Sequence, residues 1–415
     1  MSKEILPKHF IRVGASNELK YADDALKYGE ALMISQPFSL NARKSIQRFL
    51  EGHGTPFLID PETYRYFLPH KYHFKGSNKD KKIRAWLDRM SNLFPEEIRE
   101  TFGKRAARVE NFDALQLLEF CQSNIEIQTA MEKEDGTPLL PNGIVAPYLR
   151  LTNEKMASNL LFQTQVISTT VKVNKSSLPV VGVFYFSKDI LTNNYALRQI
   201  RQAMKEVECE NIAVWVDNFD EKNATEEELY SLNDLYLELS KTKHVLSMYG
   251  GMAQIMMMFN GLGSITHGIH YQLHKNGLSN GGVPAYYFYL PNLFQRVRTI
   301  EASAIIKRQG FSTQQYLKKS CNCQVCEEIL SIQAAERIFN LEGNESDIVK
   351  ILTNHFAFNK SLEIANVFKL TKEQYADWVL EKIQNLHLTI DEREYADLVI
   401  NWVSVVLDID LIKQS

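Results

Sequence analysis

Short apolar runs alternate with longer amphipathic stretches over the first two thirds of this chain. Short apolar runs predict buried strands, and strands that alternate with helices predict a parallel sheet. Eight such units close into a barrel, so the predicted fold class is α/β, a (β/α)8 TIM barrel. The predicted strands are residues 10–13, 31–35, 56–59, 144–151, 180–186, 212–216, 244–248 and 263–267, with helices at 41–52, 154–169, 193–207 and 225–240.

The segment between Asp60 and Ile144 interrupts this alternation. We expect a helical insertion at about 61–143 that lies over the mouth of the barrel, with a helix at 112–130. Basic clusters at 79–84 and 104–108 indicate that one face of the insertion is positively charged. An ordinary solvated helix also carries runs of charge, so that interpretation stays open as well.

Three of the five cysteines stand close together, as Cys321, Cys323 and Cys326. Thiolates at this spacing can share one soft cation, and a structural zinc site takes four protein ligands. His355, which is 29 residues beyond Cys326, is the candidate for the fourth ligand. The alternative is a chance cluster of buried or free thiols. The spacing predicts one bound zinc ion.

The chain after the eighth predicted strand is mostly helical. An aromatic strand is predicted at 286–290, and helices are predicted at 295–308, 312–319, 327–340, 346–358, 371–385 and 390–407. We therefore divide the chain into a barrel domain, residues 1–310, and a zinc-binding helical subdomain, residues 311–415.

The charges of this chain are nearly balanced, with 47 Lys and Arg against 50 Asp and Glu. A polyanion must therefore be held by local patches, and we expect the clusters at 79–84, 104–108 and 296–308 to face the barrel mouth and contact phosphates. Residues 1–4 contain no apolar signal segment, and no apolar stretch reaches the roughly 18 residues of a membrane span. We expect a soluble, cytoplasmic protein without a membrane partner.

The order of predicted strands, the Cys-x-Cys-x-x-Cys motif and the later histidine together resemble the tRNA-guanine transglycosylase family, including its relatives that insert 7-deazaguanines into DNA. The resemblance covers about residues 10–355. Asp60, which follows an early predicted strand, stands where the family carries an aspartate for acid/base work. The resemblance implies that the protein replaces guanine by a 7-deazaguanine-type base in DNA or tRNA, as a homodimer or in a hetero-oligomer. It also implies that the zinc is structural.

The sequence departs from the family's pattern at most other functional positions. The nucleophilic aspartate of the last barrel strand is missing, Thr266 stands in its place, and no Asp or Glu occurs between residues 245 and 300. The guanine-binding aspartate after the fourth strand is replaced by a segment with Tyr148 and Arg150. The glutamine expected after the fifth strand falls near Tyr185.

Two interpretations follow from these departures. In the first, Asp217, which follows the sixth strand, joins Asp60 in a rebuilt active site, because base exchange needs a nucleophile and a proton carrier. In the second, the barrel has lost its chemistry and binds nucleic acid or a partner protein. Each aspartate can instead cap the helix after its strand. A barrel enzyme that acts on something other than nucleic acid is a third option.

Residues just after the strands of such a barrel are expected to line the substrate site. Gly250 and Gly251 precede a helix, where backbone N–H groups can cradle a phosphate. Thr266 is a poor nucleophile unless a base such as His267 activates it. The expected substrate-binding residues are Tyr148, Arg150, Tyr185, Gly250, Gly251 and His267, and the expected catalytic residues are Asp60, Asp217 and Thr266. The spacing of His267, His270 and His274 also allows a second metal, but their glycine-containing context favours a strand that turns into a loop.

Overall fold

The computed structural model describes residues 6–68, 107–268, 286–310, 313–324, 326–327 and 345–409. Parallel strands form one sheet that closes almost completely into a barrel, with helices packed around it. The barrel strands are β1 (His9–Val13), β2 (Ala31–Ser35), β3 (Phe57–Asp60), β4 (Ile144–Val145), β5 (Arg150–Leu151), β6 (Val180–Ser187), β7 (Asn211–Asp217), β8 (His244–Ser247) and β9 (Leu262–Gly268).

The order of strands around the barrel is β3-β2-β1-β9-β8-β7-β6-β4, and β5 also pairs with β6. The fourth position of the barrel therefore consists of two short strands. The barrel closes between β3 and β4, where the backbone N of Asn142 donates to the carbonyl oxygen of Phe57 at 2.8 Å. Each of the eight predicted runs coincides with a strand position, so the predicted α/β barrel architecture is confirmed in a TIM-like, nearly closed form.

The strands form continuous apolar runs because both of their faces are buried, as is usual in parallel sheets. Every residue of β1, β6 and β7 is buried. Alternate side chains point into the barrel, where Phe10, Leu58 and Val183 belong to one interior cluster. Polar residues end several strands, and this places their side chains at the carboxyl mouth of the barrel.

The helices of the barrel region are α1 (Ser16–Ala25), α2 (Gln36–Asn41), α3 (Arg43–His53), α4 (Ala114–Thr129), α5 (Met156–Val173), α6 (Asn194–Glu206), α7 (Glu226–Ser240) and α8 (Met252–Met257). Capping boxes fix the start of two of them, with Asp113 and Gln116 at α4 and Thr225 and Glu228 at α7. Within the described residues, no helix has the length and apolar character needed to cross a membrane.

The predicted insertion is described up to residue 68 and again from residue 107. Its helix α4 matches the predicted helix at 112–130 and packs against β4. Asn124 and Gln128 of α4 donate to the backbone oxygen of Val145 at 3.0 and 2.8 Å. The basic cluster at 79–84, and residues 104–106 of the second cluster, lie outside the described residues.

The C-terminal part begins with an antiparallel hairpin and continues as helices. Its elements are β10 (Tyr287–Leu290), β11 (Gln295–Arg298), α9 (Thr299–Arg308), α10 (Thr313–Ser320), α11 (Glu345–Lys369), α12 (Lys372–Gln384) and α13 (Ile390–Leu407). The helix predicted at 295–308 is wrong in its first four residues, which pair with β10 and alternate between buried and less buried positions. The predicted helix at 346–358 continues to Lys369. Residues 328–340 of another predicted helix lie outside the described residues.

Candidate functional site

Cys321, Cys323, Cys326 and His355 form a buried cluster, as the sequence predicts. The three thiols follow α10, and the imidazole comes from the middle of α11. One ligand atom from each residue lies within 4.8 Å of the others. All three cysteines are free thiols, so no disulfide competes for the sulfur atoms.

The spacing of the ligand atoms in this cluster fits a tetrahedral metal ion. The Nδ1 atom of His355 lies 3.5 Å from Sγ of Cys321, 3.6 Å from Sγ of Cys323 and 3.2 Å from Sγ of Cys326. Zinc bonds of about 2.3 Å to sulfur and about 2.0 Å to nitrogen, at tetrahedral angles, separate the two ligand atoms by about 3.5 Å. The four residues therefore form a candidate metal-binding site whose dimensions fit zinc.

Groups around the four residues fix their orientation. The Nε2 atom of His355 lies 2.8 Å from the carbonyl oxygen of Tyr289, which leaves Nδ1 as the ligand atom. The ring of Phe288 stacks on the imidazole with a centroid distance of 4.5 Å. The side-chain nitrogen of Asn359 is 3.5 Å from Sγ of Cys321. Such outer contacts are typical of structural metal sites.

Asp60 is fully buried at the carboxyl end of β3, where three donors surround its carboxylate. Arg12 of β1 donates to Oδ2 at 2.5 Å, while the Tyr148 hydroxyl and the backbone N of Glu62 donate to Oδ1 at 2.7 and 3.0 Å. Burial, and then the charge of Asp60, raise the pKa of Tyr148 well above its ordinary value, so this phenol stays a hydrogen-bond donor. Asp60 is thus held from three sides.

Arg12 and Glu62 are polar residues of the barrel mouth that sequence reasoning missed. Arg12 also donates to Glu62, whose second carboxylate oxygen accepts from Arg65 at 2.8 Å. Asp60, Glu62 and Arg12 are buried, and the partly exposed Arg65 completes this network of balanced charges. The signal for Arg12 was present in the sequence, because a single arginine in an otherwise apolar strand is seldom buried unless it is paired.

Asp217 ends β7 and is also buried, and its carboxylate accepts from Nε of Arg150 at 2.7 Å. Arg150 belongs to β5 and keeps about a fifth of its side chain exposed. Tyr185 of β6 lies beside this pair. Burial, and then the charge of Asp217, raise the pKa of Tyr185 well above its ordinary value. The predicted residues Tyr148, Arg150 and Tyr185 are therefore brought to the two carboxylates.

An aromatic cluster lies between the two carboxylates. It consists of Tyr64, Tyr148, Tyr185, Trp215 and Tyr249, all buried. The rings of Tyr185 and Trp215 stack with centroids 4.0 Å apart, and Tyr64 meets both rings edge-on at 5.1 and 5.0 Å. The hydroxyl of Tyr64 has no hydrogen-bond partner among the described residues. Asp60 contacts one end of this cluster through Tyr148, and Asp217 lies at Tyr185.

Thr266 and His267 occupy adjacent positions of β9, so their side chains point to opposite faces of the strand. Thr266 is buried, and its hydroxyl has no hydrogen-bond partner within the described part of the chain. His267 instead lies against His9, with the two Nε2 atoms 2.6 Å apart, and against the ring of Phe356 of α11. The structure therefore does not bring the His267 imidazole to the Thr266 hydroxyl. His270 and His274 lie outside the described residues.

Gly250 and Gly251 precede α8, as predicted, but the backbone donors at this helix start already have an acceptor. The carboxylate of Glu221 accepts from the backbone N of Gly251, Ala253 and Gln254 at 2.7, 3.0 and 3.1 Å. A phosphate at this place would have to displace Glu221. The sequence gives no local sign of this contact, because Glu221 is 30 residues away from Gly251.

No family model and no curated protein matches this chain.

Proposed function

We propose that this protein exchanges a base in DNA or tRNA, replacing guanine by a 7-deazaguanine, with Asp217 as the nucleophile and Asp60 as the proton carrier. One observation supports this proposal above others. Asp60 and Asp217 are buried carboxylates that end β3 and β7 and face the same mouth of the barrel. In barrel enzymes this mouth is where the chemistry takes place.

In the proposed reaction, an oxygen of the Asp217 carboxylate forms a bond to C1′ of the target nucleotide. The bond from C1′ to the base nitrogen breaks, and its electron pair leaves with the base. The departing base takes a proton that Asp60 must bind from solvent before the reaction begins. The incoming base returns a proton to Asp60, its nitrogen attacks C1′, and the Asp217 carboxylate leaves. No oxidant or reductant is needed, because one bond is exchanged for another and the proton on Asp60 is restored.

The neighbouring residues have positioning roles in this proposal. Arg150 orients the Asp217 carboxylate through its 2.7 Å hydrogen bond. Tyr148 donates to Asp60 and holds it in place. The rings of Tyr185 and Trp215 offer stacking surfaces for a base that has been unstacked from its strand. Tyr64 comes from the 3-10 turn Thr63–Phe67 and not from a strand, so a movement of this turn would withdraw its ring from the Tyr185 and Trp215 rings.

We also infer that the ion held by Cys321, Cys323, Cys326 and His355 is a structural zinc. Four protein ligands complete a tetrahedral shell and leave no position for a reactive water. The site joins the segment after α10 to α11, and His355 ties α11 to the hairpin through the carbonyl of Tyr289. Zinc would therefore stabilise the C-terminal helices and take no part in the exchange.

A second candidate function is a barrel subunit that binds nucleic acid or a partner protein without catalysis. The specific observation in its favour is that Arg12 and Arg150 already pair with the two carboxylates, and aromatic rings fill the space between them. This function predicts binding without release of a base.

The two functions differ in an exchange assay. We would incubate DNA and tRNA that carry labelled guanine with the protein and a series of 7-deazaguanines, and measure released guanine. The proposal expects release that depends on the incoming base and is lost in Asp217→Asn and Asp60→Asn. Asp234→Asn is the matched control, because Asp234 pairs with Arg201 on the protein surface, 2.6 Å away. Binding of the nucleic acid without release under all conditions supports the second function and contradicts the first.

A further inference from the structure

A cleft separate from the aromatic cluster lies at the carboxyl ends of β7 and β8. Its volume is about 200 Å³, and it is bounded by the loop after β7, the start of α8, the β10–β11 hairpin and α13. The lining residues used below are Asp220, Lys222, Tyr287, Gln295, Arg296 and Trp402. Sites for drug-sized ligands have volumes of roughly 300–1,000 Å³, so this cleft suits a smaller molecule or one group of a larger one.

Two cationic side chains face this cleft. Lys222 donates to the backbone oxygen of Arg296 at 2.9 Å, so the lysine side chain extends along the start of β11. Burial and the charge of Arg296 lower the pKa of Lys222 to about 8, and Asp220 and Glu301 oppose this effect less strongly. The guanidinium of Arg296 lies over the ring of Tyr287 at 5.0 Å. An anion in the cleft would offset the burial of these two positive charges.

A buried amide provides an independent sign of a ligand. Gln295 is 1 % exposed, and its side-chain nitrogen has no hydrogen-bond partner within the described residues. A buried donor that remains unpaired loses its hydrogen bonds to water without replacement, so such groups are usually satisfied by a partner or a ligand. Gln295 lines the same cleft as Lys222.

The acidic residues of the lining have other contacts. Glu221 accepts from the three backbone N–H groups at the start of α8. Asp220 accepts from the backbone N of Lys222 at 3.2 Å and from the side chain of Asn223 at 2.9 Å. Trp402 donates to the backbone oxygen of Glu221 at 3.3 Å and forms one wall. Beside these engaged acidic groups, the lining contains the amide of Gln295 and two cationic side chains, Lys222 and Arg296.

We propose that this cleft binds a phosphate group through Lys222, Arg296 and Gln295. A phosphate carries close to two negative charges and several acceptor oxygens, which match two cations and an amide donor better than a carboxylate does. Tyr287 and Trp402 offer an apolar surface to an attached organic group. The phosphate comes either from a small phosphorylated molecule or from the end of a nucleic-acid strand. The site does not depend on base exchange at Asp60 and Asp217.

Calorimetric titration of the full, metal-loaded chain tests the proposal with inorganic phosphate as the probe. We expect Lys222→Met and Gln295→Leu each to bind phosphate at least about tenfold more weakly than the wild type does. We also expect the wild type to bind acetate at least about tenfold more weakly than phosphate. Lys205→Met is the matched control, because Lys205 pairs with Glu238 away from the cleft. Equal binding of acetate and phosphate, or variants that bind as the wild type does, would overturn the proposal.

A measurement on the wild-type chain keeps the test independent of variant folding. Phosphate should slow the acylation of Lys222 by acetic anhydride, which mass spectrometry measures. The acylation of Lys241, whose side chain is 63 % exposed, should be unaffected. Absence of this protection contradicts the proposal.

Two further titrations identify the source of the phosphate. Binding of a nucleoside monophosphate but not of a 5′-phosphorylated oligonucleotide supports a small phosphorylated molecule. Binding of the phosphorylated oligonucleotide but not of its unphosphorylated form supports a strand end. If neither monophosphate nor phosphorylated oligonucleotide binds, the proposal is overturned.

Discussion

The Nε atom of Arg150 lies 2.7 Å from Oδ2 of Asp217 at the barrel mouth, and this hydrogen bond joins β5 to β7 across β6. A second arginine, Arg12, holds Asp60 in the same way between β1 and β3. Each carboxylate therefore accepts a hydrogen bond from an arginine that belongs to another strand of the barrel. Precise orientation of this kind is what a nucleophile and a proton carrier require.

Removal of Arg150 should slow base exchange and leave the fold intact. Arg150 is partly exposed, and Arg150→Met would let the Asp217 carboxylate turn away from the reacting carbon. Loss of orientation near a reacting atom can lower the rate about 100-fold, so we expect a fall of this order in kcat with little change in KM. Steady-state kinetics measures both. A large rise in KM with an unchanged kcat would instead assign Arg150 to substrate binding.

Removal of Arg12 should destabilise the protein strongly. Arg12→Met leaves Asp60 and Glu62 buried with less of their compensating charge, and breaking a buried ion pair costs about 3–5 kcal/mol. Denaturant unfolding of the variant and the wild type measures this loss. The control is Arg48→Met, because Arg48 pairs with Glu134 on the surface and should change the free energy of unfolding by less than about 1 kcal/mol. Equal effects of the two substitutions would mean that the buried network contributes no special stability.

One zinc ion per chain is expected, with Zn–S distances of about 2.3 Å and Zn–N of about 2.0–2.1 Å. Elemental analysis and X-ray absorption spectroscopy measure the stoichiometry and the distances. His355→Ala or Cys323→Ser should lose the metal and destabilise the C-terminal helices. Cys209→Ser is the control, since Cys209 is a buried free thiol that is not part of the cluster. A protein that retains its zinc after His355→Ala would show that the fourth ligand is a different residue.

The buried pair of His9 and His267 should make the protein less stable in mild acid. Burial, and then the charge of Lys360, lower the pKa of His9 to about 4, and burial and His9 lower the pKa of His267. The unfolded chain binds these protons near pH 6.5, so stability is complete above that pH and decreases as the pH falls towards 4. His9 alone accounts for roughly 3 kcal/mol over this window.

The measurement is the free energy of unfolding of the wild type and of His9→Gln between pH 4 and 7. The variant should lose part of the pH dependence, while His53→Gln, a change at a surface histidine paired with Asp23, should keep it. An identical pH profile for the wild type and His9→Gln would contradict the buried, neutral state of this histidine.

Much of the fold follows from local sequence patterns, and much of the site does not. The barrel strands were predictable because strands buried on both faces are apolar runs of characteristic length. The ligands Cys321, Cys323 and Cys326 were predictable because their spacing is local. The pairing of Arg12 with Asp60 joins residues 48 positions apart, and no local pattern indicates it.

Besides the pairing of Arg12 with Asp60, the β10–β11 hairpin was not predicted from the sequence. Residues 295–298 continue into a real helix, α9, and their strand character appears only through pairing with β10. Similarly, Glu221 takes the backbone donors of α8 that the sequence assigned to a phosphate, because the loop after β7 brings it there. Contacts set by tertiary structure thus account for what the sequence left undetermined.

The proposed base exchange requires a covalent adduct between Asp217 and the nucleic acid. The protein is incubated with DNA or tRNA and a 7-deazaguanine that exchanges slowly, and the adduct is detected by denaturing electrophoresis and mass spectrometry. The proteins compared are the wild type, Asp217→Asn, Asp60→Asn and Thr266→Val. We predict an adduct on a peptide that contains Asp217, present in the wild type and in Thr266→Val and absent in Asp217→Asn and Asp60→Asn. Two results would contradict a nucleophilic role of Asp217. One is an adduct that persists in Asp217→Asn and disappears in Thr266→Val, and the other is the absence of an adduct with any nucleic acid that the protein binds.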